Sequence, residues 1–310
     1  MKIVFFGSSE FAIPALKAIT EGGFAPVLVV TKPDAPRGRG RKIHEAEVKL
    51  AAQELKLPCE QPADPCAPEF ADTLKKLGAE VFVVVSYGKV FPEEFLALPK
   101  RFPLNVHASL LPRHRGASPI QHAILSGDKE TGITIMRMAK ELDAGDILLM
   151  EKTPIGPGEN AGQLRERLAE MGGQVLIKAL QLVKSKKEKF QKQDDKKATW
   201  CKKIEKIHGV IDWKKKAVDI EMFVRGMTPA PGAQTRLGAR RFIVTEGVVE
   251  TDGYGLGIPG GILSAGEEGV RVCTGDGIYR VLRIKPENGR NMTAGEWVRG
   301  HHLAPDARFG

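Results

Sequence analysis

Asn105 and His107 are separated by one residue in Leu104-Asn105-Val106-His107, a short apolar run that reads as a strand. Side chains alternate between the two faces of a strand, so this pair projects from one face and can reach one reacting carbon. An asparagine amide can donate its N–H to a developing oxyanion, and a neutral imidazole can take a proton from an attacking amine. Together they suit acyl transfer to nitrogen. Taken alone, however, Asn-x-His reads more simply as a turn cap followed by a hydrogen-bonded core histidine, so the surrounding residues must decide. A carboxylate beside the imidazole would fix its tautomer and stabilise the imidazolium as it forms. Leu142-Asp143-Ala144-Gly145-Asp146-Ile147 offers two, and the same residues also spell a polar turn before an Ile147-Leu148-Leu149 strand.

Such a site must be held by a scaffold, and the first half of the chain has the grammar of a parallel α/β sheet. Short runs rich in Val, Ile and Phe alternate with helical patterns and turn residues. The strand candidates are Ile3 to Phe6, Val27 to Val30, Val81 to Val85, Leu104 to Val106 and Ile133 to Met138. Helices are predicted over Phe11 to Thr20, Ala46 to Leu55, Pro68 to Leu77 and Pro119 to Leu125, with a longer one from about Asn160 to Val183. In that last helix Leu164, Leu168, Met171, Val175, Ala179 and Val183 recur at spacings of three and four, giving one apolar face, and Asn160 is a natural N-cap. Later the pattern changes to short alternating runs around glycine-rich turns. Gly269 to Thr274, then Gly275-Asp276-Gly277, then Ile278 to Leu282 is a hairpin signature. The expected architecture is therefore a Rossmann-like, mostly parallel sheet domain over residues 1–183, a lysine-rich linker over 184–207 and a small OB-like β-barrel over 208–310.

Composition narrows the possibilities. At 310 residues the chain is long enough for a large buried core. Its longest apolar runs, such as Val81 to Val85, are too short to span a bilayer, and the first residues lack a signal-peptide pattern, so a cytoplasmic protein is expected. The four cysteines form no CxxC pair and no metal site is predicted. Gly7-Ser8-Ser9-Glu10 has one glycine where a dinucleotide-binding turn needs three, and no Gly-Lys-Ser/Thr phosphate loop occurs. The net charge of +9 is concentrated: Lys184 to Lys216 holds 13 Lys against 5 acidic residues, whereas Ala217 to Gly310 holds 11 basic and 11 acidic. Such a segment is either a solvated linker or a nucleic-acid contact surface.

The wider stretch Asn105-Val106-His107-Ala108-Ser109-Leu110-Leu111-Pro112-Arg113-His114-Arg115-Gly116 resembles the signature of the folate-dependent formyltransferases. The likeness continues through Ser118-Pro119-Ile120, Thr131 to Met136 and Leu142 to Ile147. It implies a catalytic role for Asn105, for His107 and for the first aspartate of the loop, Asp143, leaving Asp146 as a turn residue. It further implies that Ser109, Leu110, Leu111 and Pro112 lie along the folate, and that Ser86-Tyr87-Gly88 forms a second wall of that pocket, although an ordinary strand-to-helix turn would look the same. The implied formyl donor is 10-formyltetrahydrofolate.

The triad leaves the acceptor open. Lys32-Pro33-Asp34-Ala35-Pro36-Arg37-Gly38-Arg39-Gly40-Arg41-Lys42 resembles the basic insertion with which the methionyl-tRNA branch of the family engages an acceptor stem, and Arg37, Arg39, Arg41 and Lys42 are its phosphate-contacting candidates. Gly209 to Trp213, Thr228 to Ala233, Pro259 to Leu263 and Thr274 to Gly277 resemble landmarks of that branch's second domain, with Ala230 where a large aromatic is frequent and His114 where Trp or Tyr is common. The resemblance thus implies formyl transfer to methionyl initiator tRNA by a monomer. Glycinamide ribonucleotide, a nucleotide-linked amino sugar and water are the alternative acceptors, and a non-enzymatic RNA-binding protein is the alternative from another class.

Overall fold

A computed structural model of the chain describes residues 1–37, 42–250, 257–304 and 306–310. In chain order the strands are β1 Ile3–Gly7, β2 Leu28–Val30, β3 Ala35–Arg37, β4 Lys42–His44, β5 Cys59–Glu60, β6 Val81–Val85, β7 Phe102–His107, β8 Arg115–Gly116, β9 Glu130–Arg137, β10 Ile147–Pro154, β11 Trp200–Cys201, β12 Ala233–Leu237, β13 Arg240–Glu250, β14 Ile262–Gly266, β15 Gly269–Cys273, β16 Ile278–Pro286 and β17 Met292–Thr293. The α-helices are α1 Ala12–Ile19, α2 Glu47–Glu54, α3 Pro68–Leu77, α4 Glu93–Leu96, α5 Pro119–Leu125, α6 Ala161–Lys184, α7 Ala217–Met227 and α8 Ala294–Arg299. Two compact units result. The first takes residues 1–119, 130–154 and 165–201; the second takes 120–129, 155–164 and 202–310. The lysine-rich stretch read as a linker is therefore divided at Cys201.

The first unit is built on a seven-stranded sheet of order β10-β9-β7-β6-β1-β2-β5. The pairs from β7 through β5 are parallel, and β9 and β10 add an antiparallel edge. The central strands β1 and β6 are buried at every position, as expected of parallel strands covered on both faces, and their Ile, Val and Phe residues suit that environment. α3 opens with Pro68 and ends on Gly78 at φ 63°, where a left-handed cap suits glycine. Gly172 and Gly173 let α6 lie close: a Cβ at 173 would stand 2.9 Å from Ala18 Cβ and 3.1 Å from the Pro14 carbonyl. The expected apolar face of α6 buries Leu164, Leu168, Val175, Ala179 and Val183, joined by Leu176 and Leu180, while Met171 is only half-buried.

Asn160 does cap α6. Its Oδ1 accepts from the Gln163 N–H at 3.0 Å, and Gln163 Oε1 accepts from the Asn160 N–H at 3.0 Å, a reciprocal capping box. Asn160→Ala should cost about 1 kcal/mol, and a lowered midpoint in denaturant unfolding is the measurement; an unchanged midpoint would show that the cap contributes nothing.

In the second unit an antiparallel sheet runs β12-β13-β16-β15-β14, with β17 paired to β16. The hairpin read from the sequence is β15–β16, with Cys273 opposite Ile278 and the Thr274 N–H bonded to the Gly277 carbonyl. The sheet closes through the last residues of the chain. Gly310 and Arg236 exchange backbone hydrogen bonds at one edge, while Phe309 N–H donates to Gly260 O at 2.8 Å at the other. This closure makes the barrel, and it removes two exposed strand edges. Phe309 is buried at the seam, its ring stacked on Trp213 at 5.6 Å and edge-on to Phe242 at 6.3 Å.

Candidate active site

β7 ends the run of parallel strands, and on its far side it pairs with β9, Asn105 opposite Met136 and His107 opposite Thr134. The i, i+2 spacing puts Asn105 and His107 on one face, as the strand reading required. His107 is 6% exposed. Its Nε2 lies 2.9 Å from the His114 carbonyl. A carbonyl only accepts, so this contact assigns the hydrogen to Nε2 and leaves Nδ1 turned toward Asp143.

Asp143 Oδ2 stands 3.6 Å from His107 Nδ1, and its side chain is 9% exposed. That is ion-pair range and too long for a direct hydrogen bond. The sequence reading had the carboxylate fixing the ring; in the structure the His114 carbonyl holds the ring, and Asp143 is held separately by the Gly116 N–H, which donates to Oδ2 at 2.9 Å. His114, whose side chain is small for its place in the signature, thus contributes through its backbone. It sits at φ 58°, Asp143 at φ 52° and Ser86 at φ 47°. Non-glycine residues in the left-handed region carry strain, which clusters where side chains must be aimed.

The Asp143 loop is tightly determined. A Cβ at Gly145 would lie 1.8 Å from the Arg137 carbonyl, so only glycine permits this approach. Asp146 acts through its backbone, its carbonyl accepting from the Arg137 N–H at 2.8 Å. From outside the loop comes Gln193. Its Nε2 donates to the carbonyls of Asp143 and Gly145 at 2.8 and 2.7 Å, while its Oε1 accepts from Arg115 Nε and Nη2 at 3.0 and 2.8 Å. Arg115 Nη2 also donates to Asp195 at 2.7 Å. The amide orientation is fixed at both ends, since a flipped amide would oppose donor to donor. Sequence reasoning missed Gln193 because it sits in the lysine-rich stretch, where charge was the only visible pattern.

Of the residues expected along a folate, Ser109 is fully buried and its hydroxyl donates to Arg113 O at 2.6 Å. Thr134 ties this turn to β9, donating to Ser109 O at 2.7 Å and accepting from the Leu111 N–H at 3.2 Å. Leu111 is buried as well; Leu110 and Pro112 stay half-exposed after a cis Leu111–Pro112 bond. Across the carboxyl ends of β1 and β6, Ser8 donates to the carbonyls of Ser86 and Tyr87, each at 2.9 Å. Tyr87 itself belongs to the core, stacked on Phe91 with Phe6 edge-on. The loops at the carboxyl ends of parallel strands form the usual ligand crevice of such sheets. In the basic loop, Arg37 pairs with Lys42 through the backbone, and Asp34 anchors its base on Lys49 at 2.8 Å and Gln61 at 2.7 Å. The hydrogen bond from Lys49 leads in holding the Asp34 carboxyl down at about 2. Arg39 and Arg41, and the side chains of Arg37 and Lys42, lie outside the described residues. Among the described residues no group of three or more His, Cys, Asp or Glu is placed to hold a metal ion.

Comparison with known proteins follows the same division of the chain. Residues 1–180 match the family described as formyl transferase, and residues 203–302 match the formyl transferase C-terminal domain. A methionyl-tRNA formyltransferase from Heliobacterium modesticaldum is 41% identical over all of this chain and all of its own. One from Geobacter sulfurreducens is 37% identical over 100% of this chain and 97% of its own. Among solved structures, an N-formyltransferase from Helicobacter canadensis in complex with folinic acid and dTDP-3-aminofucose has a TM-score of 0.66 at 17% identity, covering 94% of this chain and 100% of its own, a likeness of fold alone. The chain belongs to the formyl transferase family, in the branch of the methionyl-tRNA formyltransferases.

Proposed function

We propose that this chain transfers the formyl group of 10-formyltetrahydrofolate to the free amine of methionyl initiator tRNA, with Asn105, His107 and Asp143 around the reacting carbon. The observation that carries the chemistry is the His107 ring, held at Nε2 by a carbonyl with Nδ1 facing the Asp143 carboxylate. The amine nitrogen bonds to the formyl carbon, and the Asn105 amide donates to the oxyanion that results. The nitrogen's proton passes to His107 Nδ1, and the imidazolium so formed is stabilised by Asp143. Collapse breaks the bond from carbon to the folate nitrogen, which leaves with a proton. An α-amine with a pKa of roughly 7.7 to 8 is partly neutral near physiological pH, so positioning supplies much of the acceleration.

The folate donor is a substrate and lies in the crevice at the strand ends. There the half-exposed Leu110 and Pro112 offer apolar contact, and Ser109 and Leu111 contribute the backbone of the turn that presents them. Ser109 contributes nothing through its hydroxyl, which is already bonded within the turn. The tRNA acceptor is favoured over the smaller amines by the full-length likeness to the methionyl-tRNA branch and by the lysine-rich segment. Arg37, Arg39, Arg41 and Lys42 approach the acceptor stem, and the barrel helps hold the tRNA body. We place the reaction in the cytoplasm and the working enzyme as a monomer. Among the described residues no helix is long and apolar enough to cross a membrane.

Phosphate neutralisation makes affinity fall steeply with salt. Raising potassium chloride from 50 to 200 mM should lower kcat/KM for methionyl-tRNA by roughly 10²-fold or more, with the KM for the donor moving little. Equal losses for both substrates would remove the electrostatic assignment.

A further inference from the structure

Of the three tryptophans, Trp213 and Trp297 are 4% and 5% exposed, whereas Trp200 is 59% exposed. It stands on the two-residue strand β11, where Trp200 pairs with Arg115 and Cys201 with Gly116. The ring is backed on its inner side by the Arg115 guanidinium, 5.7 Å from the ring centroid. Arg115 is 3% exposed and locked by Gln193 and Asp195, so the ring rests on a fixed support. A large aromatic left open to solvent on a braced strand is built to receive something flat.

Its position names the occupant. Gly116, one residue along from the partner of Trp200, is the residue whose N–H holds Asp143. Paired strands lie about 4.8 Å apart, so Trp200 is a close neighbour of the reacting centre. In an aminoacyl-tRNA only the ester and one ribose separate the reacting amine from the terminal base. With the amine at His107 and Asp143, that base falls in the vicinity of Trp200. Exposed Lys192, Lys196 and Lys197 precede the strand and supply charge for the adjoining phosphates.

We propose that Trp200, backed by Arg115, is the stacking platform for the unpaired terminal nucleobase of the acceptor RNA. The proposal rests on the tRNA reading above and names a contact within it. Stacking on an aromatic tolerates any base and depends on the strand being single.

The test uses the full chain and the fluorescence of Trp200, isolated as the difference between the wild type and Trp200→Phe. A methionylated minihelix with its unpaired 3′ end should quench that signal, and the same duplex lacking the unpaired nucleotides should not. Trp200→Ala should raise the KM for tRNA about tenfold, in line with the loss of one stacked base, and Trp200→Phe should recover most of it. Equal quenching by both duplexes, quenching by the folate donor alone, or an unchanged KM in Trp200→Ala would each overturn the platform while leaving transfer to tRNA intact. Absence of transfer to methionyl-tRNA by the unaltered enzyme would instead overturn the function on which it rests.

Discussion

Replacing His107 by alanine should lower kcat by roughly 10²- to 10⁴-fold, the usual contribution of a positioned acid–base group. The nitrogen that faces Asp143 at 3.6 Å is the group to which the amine's proton goes, and Asp143, held by Gly116 at 2.9 Å, cannot move into its place without losing that bond. Asn105→Ala should cost about 10²- to 10³-fold, as for loss of one oxyanion donor. Both losses belong in kcat at saturating substrates, with KM values within a few-fold, because these groups act on charge that appears only during reaction. Circular dichroism must show the fold retained, since His107 is buried. A folded His107→Ala enzyme with near-normal kcat would remove the histidine from the chemistry.

The second large effect is expected at Gln193, which touches no reacting atom. Its amide bonds both carbonyls flanking the turn of the Asp143 loop and accepts twice from Arg115. With Gln193→Leu those carbonyls lose their donor, Asp143 is free to leave its φ of 52°, and kcat should fall about 10²-fold, the scale of an ångström of misplacement. Gln193→Glu separates positioning from bulk packing. It keeps the acceptor for Arg115 but sets a carboxylate against two carbonyls, so it should be as impaired in kcat as the leucine variant despite near-normal stability. Wild-type kcat in the glutamate variant would show that the amide donors do not position Asp143.

What the sequence revealed follows the range of the interactions involved. β1, β6 and β7 were legible because their apolar runs are continuous, and α6 because its apolar residues repeat over many turns and Asn160 announces its start. Asn105 and His107 were legible as a pair because a strand enforces their common face. The short strands β5, β8 and β11 carry no periodicity, so their pairing could not be read. The barrel's closure by Arg308, Phe309 and Gly310 depends on partners far away in the chain, at Arg236 and Gly260. The same limit hid the true anchors of the site. The His114 carbonyl and the Gly116 N–H are backbone groups that any sequence has, and Gln193 reaches Asp143 from 50 residues away.

The central claim, that this site formylates methionyl initiator tRNA, is tested most directly by offering three acceptors to one enzyme preparation. Labelled formyl would be followed from 10-formyltetrahydrofolate to methionylated initiator tRNA, to methionylated elongator tRNA and to glycinamide ribonucleotide. Efficient labelling of the initiator, weak labelling of the elongator and none of the small nucleotide are the predicted results. Labelling of glycinamide ribonucleotide with none of either tRNA would contradict the claim, leaving the triad in place and stripping the basic loop, the lysine-rich segment and the barrel of their roles in tRNA binding.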